Sequence, residues 1–195
     1  MTVSVRPGRA SDVDNLAVVI ARAFGPLPVS QWLVPDGGDA RIAAMAGQFR
    51  LLISAALDDG DVYVADDGVG VAVWFPPGPI PEIPGYDELL ATACGRYTAR
   101  FVELDQVLHK AHPGSPDHAY LMFLAVEDAA QGRGIGSALL DAHHGRLDAA
   151  GTPAYLEASG VRSRRLYLRK GYADYAEPYG PAALREFYPM WRDPA

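Results

Sequence analysis

Apolar positions recur with two periods along the chain, and the order of those periods outlines its elements. Val3 and Val5 alternate with polar neighbours and predict a short opening strand over residues 2–6. Ser11, with Asp14 three residues on, reads as a helix start, and Leu16, Val19, Ile20 and Ala23 follow at helical spacing until Gly25-Pro26 stops them. Residues 26–38 read as a Pro- and Gly-rich loop. Ile42, Met45, Phe49, Leu52, Ile53 and Leu57 then form one stripe of a helix over residues 39–57. A hairpin follows, with residues 61–65 and 69–75 flanking the turn Asp66-Asp67-Gly68. Five prolines between Pro76 and Pro84 exclude an ordinary strand or helix there.

The second half reads as alternating helix and strand. Leu89, Leu90, Ala93, Tyr97, Phe101, Leu104 and Leu108 predict a helix over residues 86–111. Residues 119–126 are a near-continuous apolar run, the pattern of a strand buried on both faces. A glycine-rich turn leads into a helix over residues 134–150, followed by a strand at 154–158 and a short helix at 163–170 closed by Gly171. Residues 172–176 and 187–192 read as two last strands. Neither repeat nor linker divides the 195 residues, so one domain over residues 1–195 is expected.

Composition narrows the chemistry. With 24 acidic against 17 basic residues the net charge is −7, and the short run Arg162-Ser163-Arg164-Arg165 makes no basic face, so nucleic acid is not an expected partner. The acid excess leans toward cationic amines rather than polyanions. A single cysteine, Cys94, excludes an internal disulfide framework, and its place in a helical pattern reads as a buried hydrophobe rather than a nucleophile. No apolar run approaches a membrane span, and a soluble cytoplasmic protein is expected. His109, His112 and His118 are irregularly spaced around Pro113 and Pro116; a solvated loop is expected, and no metal site.

The densest signal is Gln131-Gly132-Arg133-Gly134-Ile135-Gly136-Ser137, between the buried strand and its helix. Alternate glycines let the backbone turn tightly, the first helical N–H groups are unpaired, and Arg133 adds a full charge, a combination that binds phosphate. A dinucleotide fingerprint fails because Ser137 and Leu139 stand where its third glycine would be, and no lysine completes a P-loop. What remains is Gln-x-x-Gly-x-Gly, against the plainer reading of a glycine-rich turn.

Leu124-Ala125-Val126 with Gln131 to Gly136, then Tyr155-Leu156-Glu157-Ala158-Ser159 and residues 165–172, resemble the two motifs of the GNAT acetyltransferase superfamily. Val64 to Gly68, Ala72-Val73-Trp74 and Pro153 to Glu157 are similar to its puromycin N-acetyltransferase branch. The resemblance implies an α/β (α+β) fold with a mixed sheet of six or seven strands splayed at a cleft. It also implies direct transfer from acetyl-coenzyme A to an amine in a ternary complex, without an acyl-enzyme.

In that reading Leu124, Ala125, Val126, Gln131, Gly132, Arg133, Gly134, Ile135, Gly136, Ser137, Ser163 and Tyr167 hold the coenzyme, with the Val126 N–H polarising the thioester. Tyr167 matches the general acid. The base is left open between Glu157, a water held by Tyr120, Glu127 at the turn edge, and a water chain to solvent. Phe24, Trp32, Trp74, Phe75 and Glu157, with Glu82 and Tyr179 or Tyr188, are expected to wall the acceptor pocket. Two positions depart from the pattern: Asp128 stands for a common proline, and Ser163 for an asparagine. A small primary amine is the expected acceptor, a protein or peptide amine the alternative, and a non-catalytic coenzyme sensor a third reading. A monomer or a homodimer is compatible with all three.

Overall fold

The computed structural model describes residues 3–195, with the side chain of Asp67 outside that description. The first half runs β1 (Val5–Pro7), α1 (Val13–Phe24), α2 (Pro28–Leu33), α3 (Gly38–Asp59), β2 (Asp61–Ala65), β3 (Gly70–Phe75), α4 (Tyr86–Cys94) and α5 (Thr98–Ala111). The second half adds β4 (Ala119–Val126), α6 (Ile135–Ala150), β5 (Ala154–Ala158), α7 (Val161–Arg169), β6 (Ala173–Asp174) and β7 (Tyr188–Arg192). Seven strands make one mixed sheet in the order β1-β2-β3-β4-β5-β7-β6, within the expected six or seven.

Several boundaries differ from the reading of the sequence. The opening strand is β1, displaced from residues 2–6, and Thr2 lies outside the described residues. Helix α1 begins after Asp12, not Ser11: the Asp12 carboxylate accepts the Arg9 N–H at 2.9 Å and both Arg6 guanidinium nitrogens at 2.8 and 2.9 Å. The expected loop at residues 26–38 contains α2, started by Pro28 in its first turn, where a missing N–H costs nothing. The expected helix over residues 86–111 is broken into α4 and α5 at Gly95, whose φ of +53° departs from a right-handed helix.

Two cores sandwich the sheet. On one face α1, α3 and α5 pack Leu16, Ile20, Met45, Phe49, Ile53 and Phe101 against Val71, Val73 and Tyr155. On the other, α6 and α7 pack Leu139, Leu140 and Tyr167 against Trp74, Leu121 and Leu156. Ile53 and Leu140 are fully buried, and truncating either to alanine costs ~2–5 kcal/mol. Helix α3, at 22 residues, has the length and apolar content to cross a membrane. Its Met45, Phe49 and Ile53 are buried in this core.

Two features of β4 position the site. A parallel pair needs a crossover, which α6 supplies, but β4 and β5 are paired only at Ala119↔Ala154, Tyr120↔Tyr155 and Leu121↔Leu156. Beyond Leu121 the strands separate, leaving the second half of β4 with an open edge. There is also a bulge: Val73 faces Phe123 while Trp74 faces Leu121, so Met122 is the extra residue. The bulge reverses the alternation, and Met122 and Phe123 both pack on the α1–α3 face. Strand β3 begins at Gly70, where a Cβ would come within 2.7 Å of Ile135 Cγ2. Its bare backbone lets the first turn of α6 settle on the sheet beside the end of β4.

Candidate active site

The loop that joins β4 to α6 has the conformation its glycines permit. Gly132 and Gly134 have φ of +78° and +85°, a region costly for other residues. A Cβ on either would meet no protein atom within 4 Å, so the space in front of the loop is open. Gly134 precedes α6, whose first bond from the Ala138 N–H returns to the Gly134 carbonyl at 3.0 Å, leaving the amides of Ile135, Gly136 and Ser137 outside the helical ladder. Gln131 braces the turn by donating from Nε2 to the Val126 carbonyl at 3.1 Å and to Asp128 at 2.9 Å. Asp128 is therefore a partner of Gln131 in this turn. Arg133 is exposed beside the loop, with Asp66 4.0 Å away. These residues fit a pyrophosphate: amides, a helix N-terminus and a cation around open space.

The open edge of β4 continues this surface. Glu127 donates its N–H to Val69 on the β3 side, so strand alternation directs the Val126 and Leu124 amides the other way, to the splay. Ala125 is buried in the α1–α3 core, and its side chain serves packing.

Through the splay the two faces of the sheet meet in a cavity of about 1220 Å³. Tyr167, Ser163 and Leu124 line it from the α7 side, and Glu157, Tyr120, Phe24 and Glu82 from the helical side. Glu157 sits between two phenols: Tyr120 donates to Oε2 at 2.8 Å and Tyr179 to Oε1 at 2.9 Å. Burial raises the Glu157 carboxyl above the ordinary range, and the phenol bonds oppose that by stabilising the ionised form. Burial and the neighbouring Glu157 charge push the Tyr120 hydroxyl well up, so it stays protonated as a donor. Burial alone raises the Tyr167 phenol, and its hydroxyl bonds to no side chain among the described residues. Ser163 donates to the Gly160 carbonyl at 3.0 Å from inside the first turn of α7, rather than capping the helix from outside.

Three expected pocket residues lie elsewhere. Trp74 is fully buried on the α6 face and stacks on His143 at 4.4 Å, because the strand alternates it away from the cavity. Phe75, 2% exposed, is core and does not line the cavity. Trp32 packs on the core with the Arg100 guanidinium 5.8 Å over its ring, also outside the lining. Glu127 is outside it as well. Tyr188 packs on the α6–α7 core.

The histidines are not a solvated loop. His118 is buried, its Nε2 lies 3.1 Å from His112 Nε2, and burial lowers His112 to about 4. His109 alone is exposed. No group of three His, Cys, Asp or Glu side chains among the described residues could hold a metal. Cys94 is buried with Sγ 3.6 Å from the Ala44 carbonyl, and burial pushes its thiol up to about 12, the opposite of an activated nucleophile.

Reading the sequence also missed a cluster in this cavity, formed by Gln48, Tyr86 and Asp105. Each is a single polar position in a helical pattern, and only the tertiary packing joins them.

A family model for the acetyltransferase (GNAT) domain matches residues 58–174. The chain belongs to the GNAT acetyltransferase family. It is 24% identical over 178 residues to an uncharacterized N-acetyltransferase of Schizosaccharomyces pombe, covering 84% of this chain and 71% of that one. A solved structure of histone acetyltransferase HPA2 and related acetyltransferase from Corynebacterium glutamicum superposes with a TM-score of 0.74 at 28% identity, covering 100% of this chain and 98% of the other. The fold also matches the paia N-acetyltransferase of Thermoplasma acidophilum in complex with coenzyme A, at TM-score 0.57, 12% identity and 99% coverage of both chains. This GNAT protein is an N-acetyltransferase, and GNAT enzymes use acetyl-coenzyme A.

Proposed function

We propose that this GNAT enzyme acetylates the primary amine of a small molecule. One observation carries the reading: Glu157 lies with a phenol on each oxygen inside a cavity walled by Phe24, Phe49, Phe123 and the segment from Gly78 to Ile83. Such a pocket, with aromatic and aliphatic walls around Glu157, suits a compact acceptor better than an extended peptide. The similarity of residues 64–68 and 153–157 to puromycin N-acetyltransferases supports the same acceptor class.

Acetyl-coenzyme A, when bound, supplies the acetyl group as a thioester. Gly132, Arg133, Gly134, Ile135, Gly136 and Ser137 would hold its pyrophosphate, with Gln131 bracing the turn. The open amides of Leu124 and Val126 would hold the arm, the Val126 N–H aimed where carbonyl charge develops. Glu157 accepts the proton of the incoming ammonium at the cavity end of the splay. Tyr120 and Tyr179 are positioning residues that fix the two carboxylate oxygens. Tyr167 Oη keeps its proton at neutral pH and would donate it from the α7 side to the coenzyme sulfur as the new amide C–N bond forms and the thioester C–S bond breaks. Acid and base thus face each other across the open edge of β4. The sequential arrangement needs no acyl-enzyme, in keeping with the buried, inert Cys94.

The name of the Corynebacterium neighbour favours a second acceptor class, a protein amine. Coenzyme A release measured with a panel of small primary amines and with matched peptide N-termini and lysines separates the two. The small amines are expected to turn over, each giving its N-acetyl product. Turnover with peptides alone would overturn the reading.

A further inference from the structure

Besides Glu157, five carboxylates line the cavity; Glu82, Asp87, Glu88 and Asp117 are exposed, whereas Asp105 is half-buried, and the transfer step does not use it. Asp105, on α5, accepts a bond from the Tyr86 hydroxyl at 2.9 Å and one from Gln48 Nε2 at 3.1 Å. Gln48 also donates to Tyr86 Oη at 2.9 Å, so α3, α4 and α5 converge on one acid. All three residues line the cavity that Glu157 lines. Gln48 is 3% exposed and accepts no bond at its own amide oxygen among the described residues.

The donors to Asp105 are all neutral. No ion pair among the described residues includes it. Burial raises the acid to about 6, which leaves it ionised at neutral pH. A half-buried carboxylate held only by neutral donors is costly, and a mere pin between three helices is served as well by an amide or by apolar packing. The charge asks for a cation, and the cavity is the open route to it. Asp105 and Glu157 also occupy two stations of one space: the Asp105 charge reaches the Tyr120 hydroxyl that bonds Glu157. Leu104, Phe49 and Phe123 are among the apolar side chains of the same cavity.

On the small-amine reading above, we infer that Asp105, set by Tyr86 and Gln48, docks a second ammonium group, so that the acceptor class is a small diamine with an apolar spacer. One amine meets Glu157 and reacts; the other stays protonated on Asp105.

The test compares kcat/KM for straight-chain diamines and for monoamines of equal length, using the full chain and acetyl-coenzyme A. Wild type is expected to prefer diamines by about 10-fold or more, with an optimum spacer length and a decline on either side. In Asp105→Asn the diamine-to-monoamine ratio is expected to fall by about 10-fold or more, the loss of a charge-assisted contact. A wild-type enzyme indifferent to the second amine at every length overturns the inference. So does a folded Asp105→Asn protein with an unchanged ratio, which would leave Asp105 as a helix pin. Should that variant not fold, the wild-type length profile decides. Monoamines acetylated as well as diamines would sink this inference alone, whereas acetylation of peptides only would sink the small-amine reading and this one with it.

Discussion

The Tyr120 hydroxyl donates to Glu157 Oε2 at 2.8 Å across the last paired step of two parallel strands. Tyr120 faces Tyr155 in register, and Glu157 stands two residues beyond, on the same face, where β4 has already turned away. The bond therefore spans the mouth of the splay. It fixes one carboxylate oxygen where a thioester and an amine could meet, while Tyr179 fixes the other.

Glu157→Gln keeps both phenols within reach but removes the proposed proton acceptor. The amide is expected to lower kcat by ~10²–10⁴-fold, the usual range for losing a general base. The base must be ionised to work, so activity falls as pH drops through its pKa. Because burial raises that pKa, the acid limb of the kcat/KM profile should lie above the ordinary glutamate range of ~4.3. Tyr120→Phe removes a bond to the ionised form and should move that limb to still higher pH. A pH–rate series on the three proteins checks both directions.

Tyr167→Phe removes the phenolic hydroxyl that lines the cavity from α7. Transfer is expected to fall by ~10²-fold or more. Coenzyme binding, read as a thermal shift, should persist, because the loop and the β4 edge are untouched. Full turnover in this variant would take Tyr167 out of the acid role.

Gly134→Val fills the space in front of the loop. Holding valine at a φ of +85° costs ~1–2 kcal/mol of stability, and its side chain occupies the open volume where a pyrophosphate would lie. The stabilisation that saturating coenzyme A gives the wild type, about 2.7 kcal/mol at one hundred times Kd, should vanish. A thermal shift that survives would contradict the phosphate assignment.

Asp105 predicts an unusual pH dependence of stability. Its folded value of about 6 exceeds the reference of 3.8, so between those values the folded state binds more protons than the unfolded one. Stability from this group is present below about 3.8 and is lost as pH rises toward about 6. Asp105→Asn should flatten that slope and raise the unfolding free energy at neutral pH, by about 3 kcal/mol at most. Urea melts of both proteins across the window measure it.

Much of this was legible in the sequence because it is local. The run Ala119–Val126 is β4 residue for residue, and the glycines of the following turn bend as their missing side chains allow. Long-range events were not. The extra residue Met122 looks like any other apolar strand position, and only its register against β3 reveals the bulge. Trp74 and Phe75 sit beside the Pro-rich segment in the chain, yet strand alternation and packing carry both into the cores. Gln48, Tyr86 and Asp105 lie on three helices, and no spacing rule joins them. Tyr179 reaches Glu157 from a loop whose path is set by its pairing with Phe187.

The most direct test is a crystal structure of the enzyme with coenzyme A and an acetylated small amine. The pyrophosphate should lie on the amides from Gly132 to Ser137, the arm along Leu124 to Val126, and the sulfur between Tyr167 and Glu157. A nucleotide bound elsewhere, or β4 and β5 paired past Leu121 with the cavity closed between them, would contradict the account.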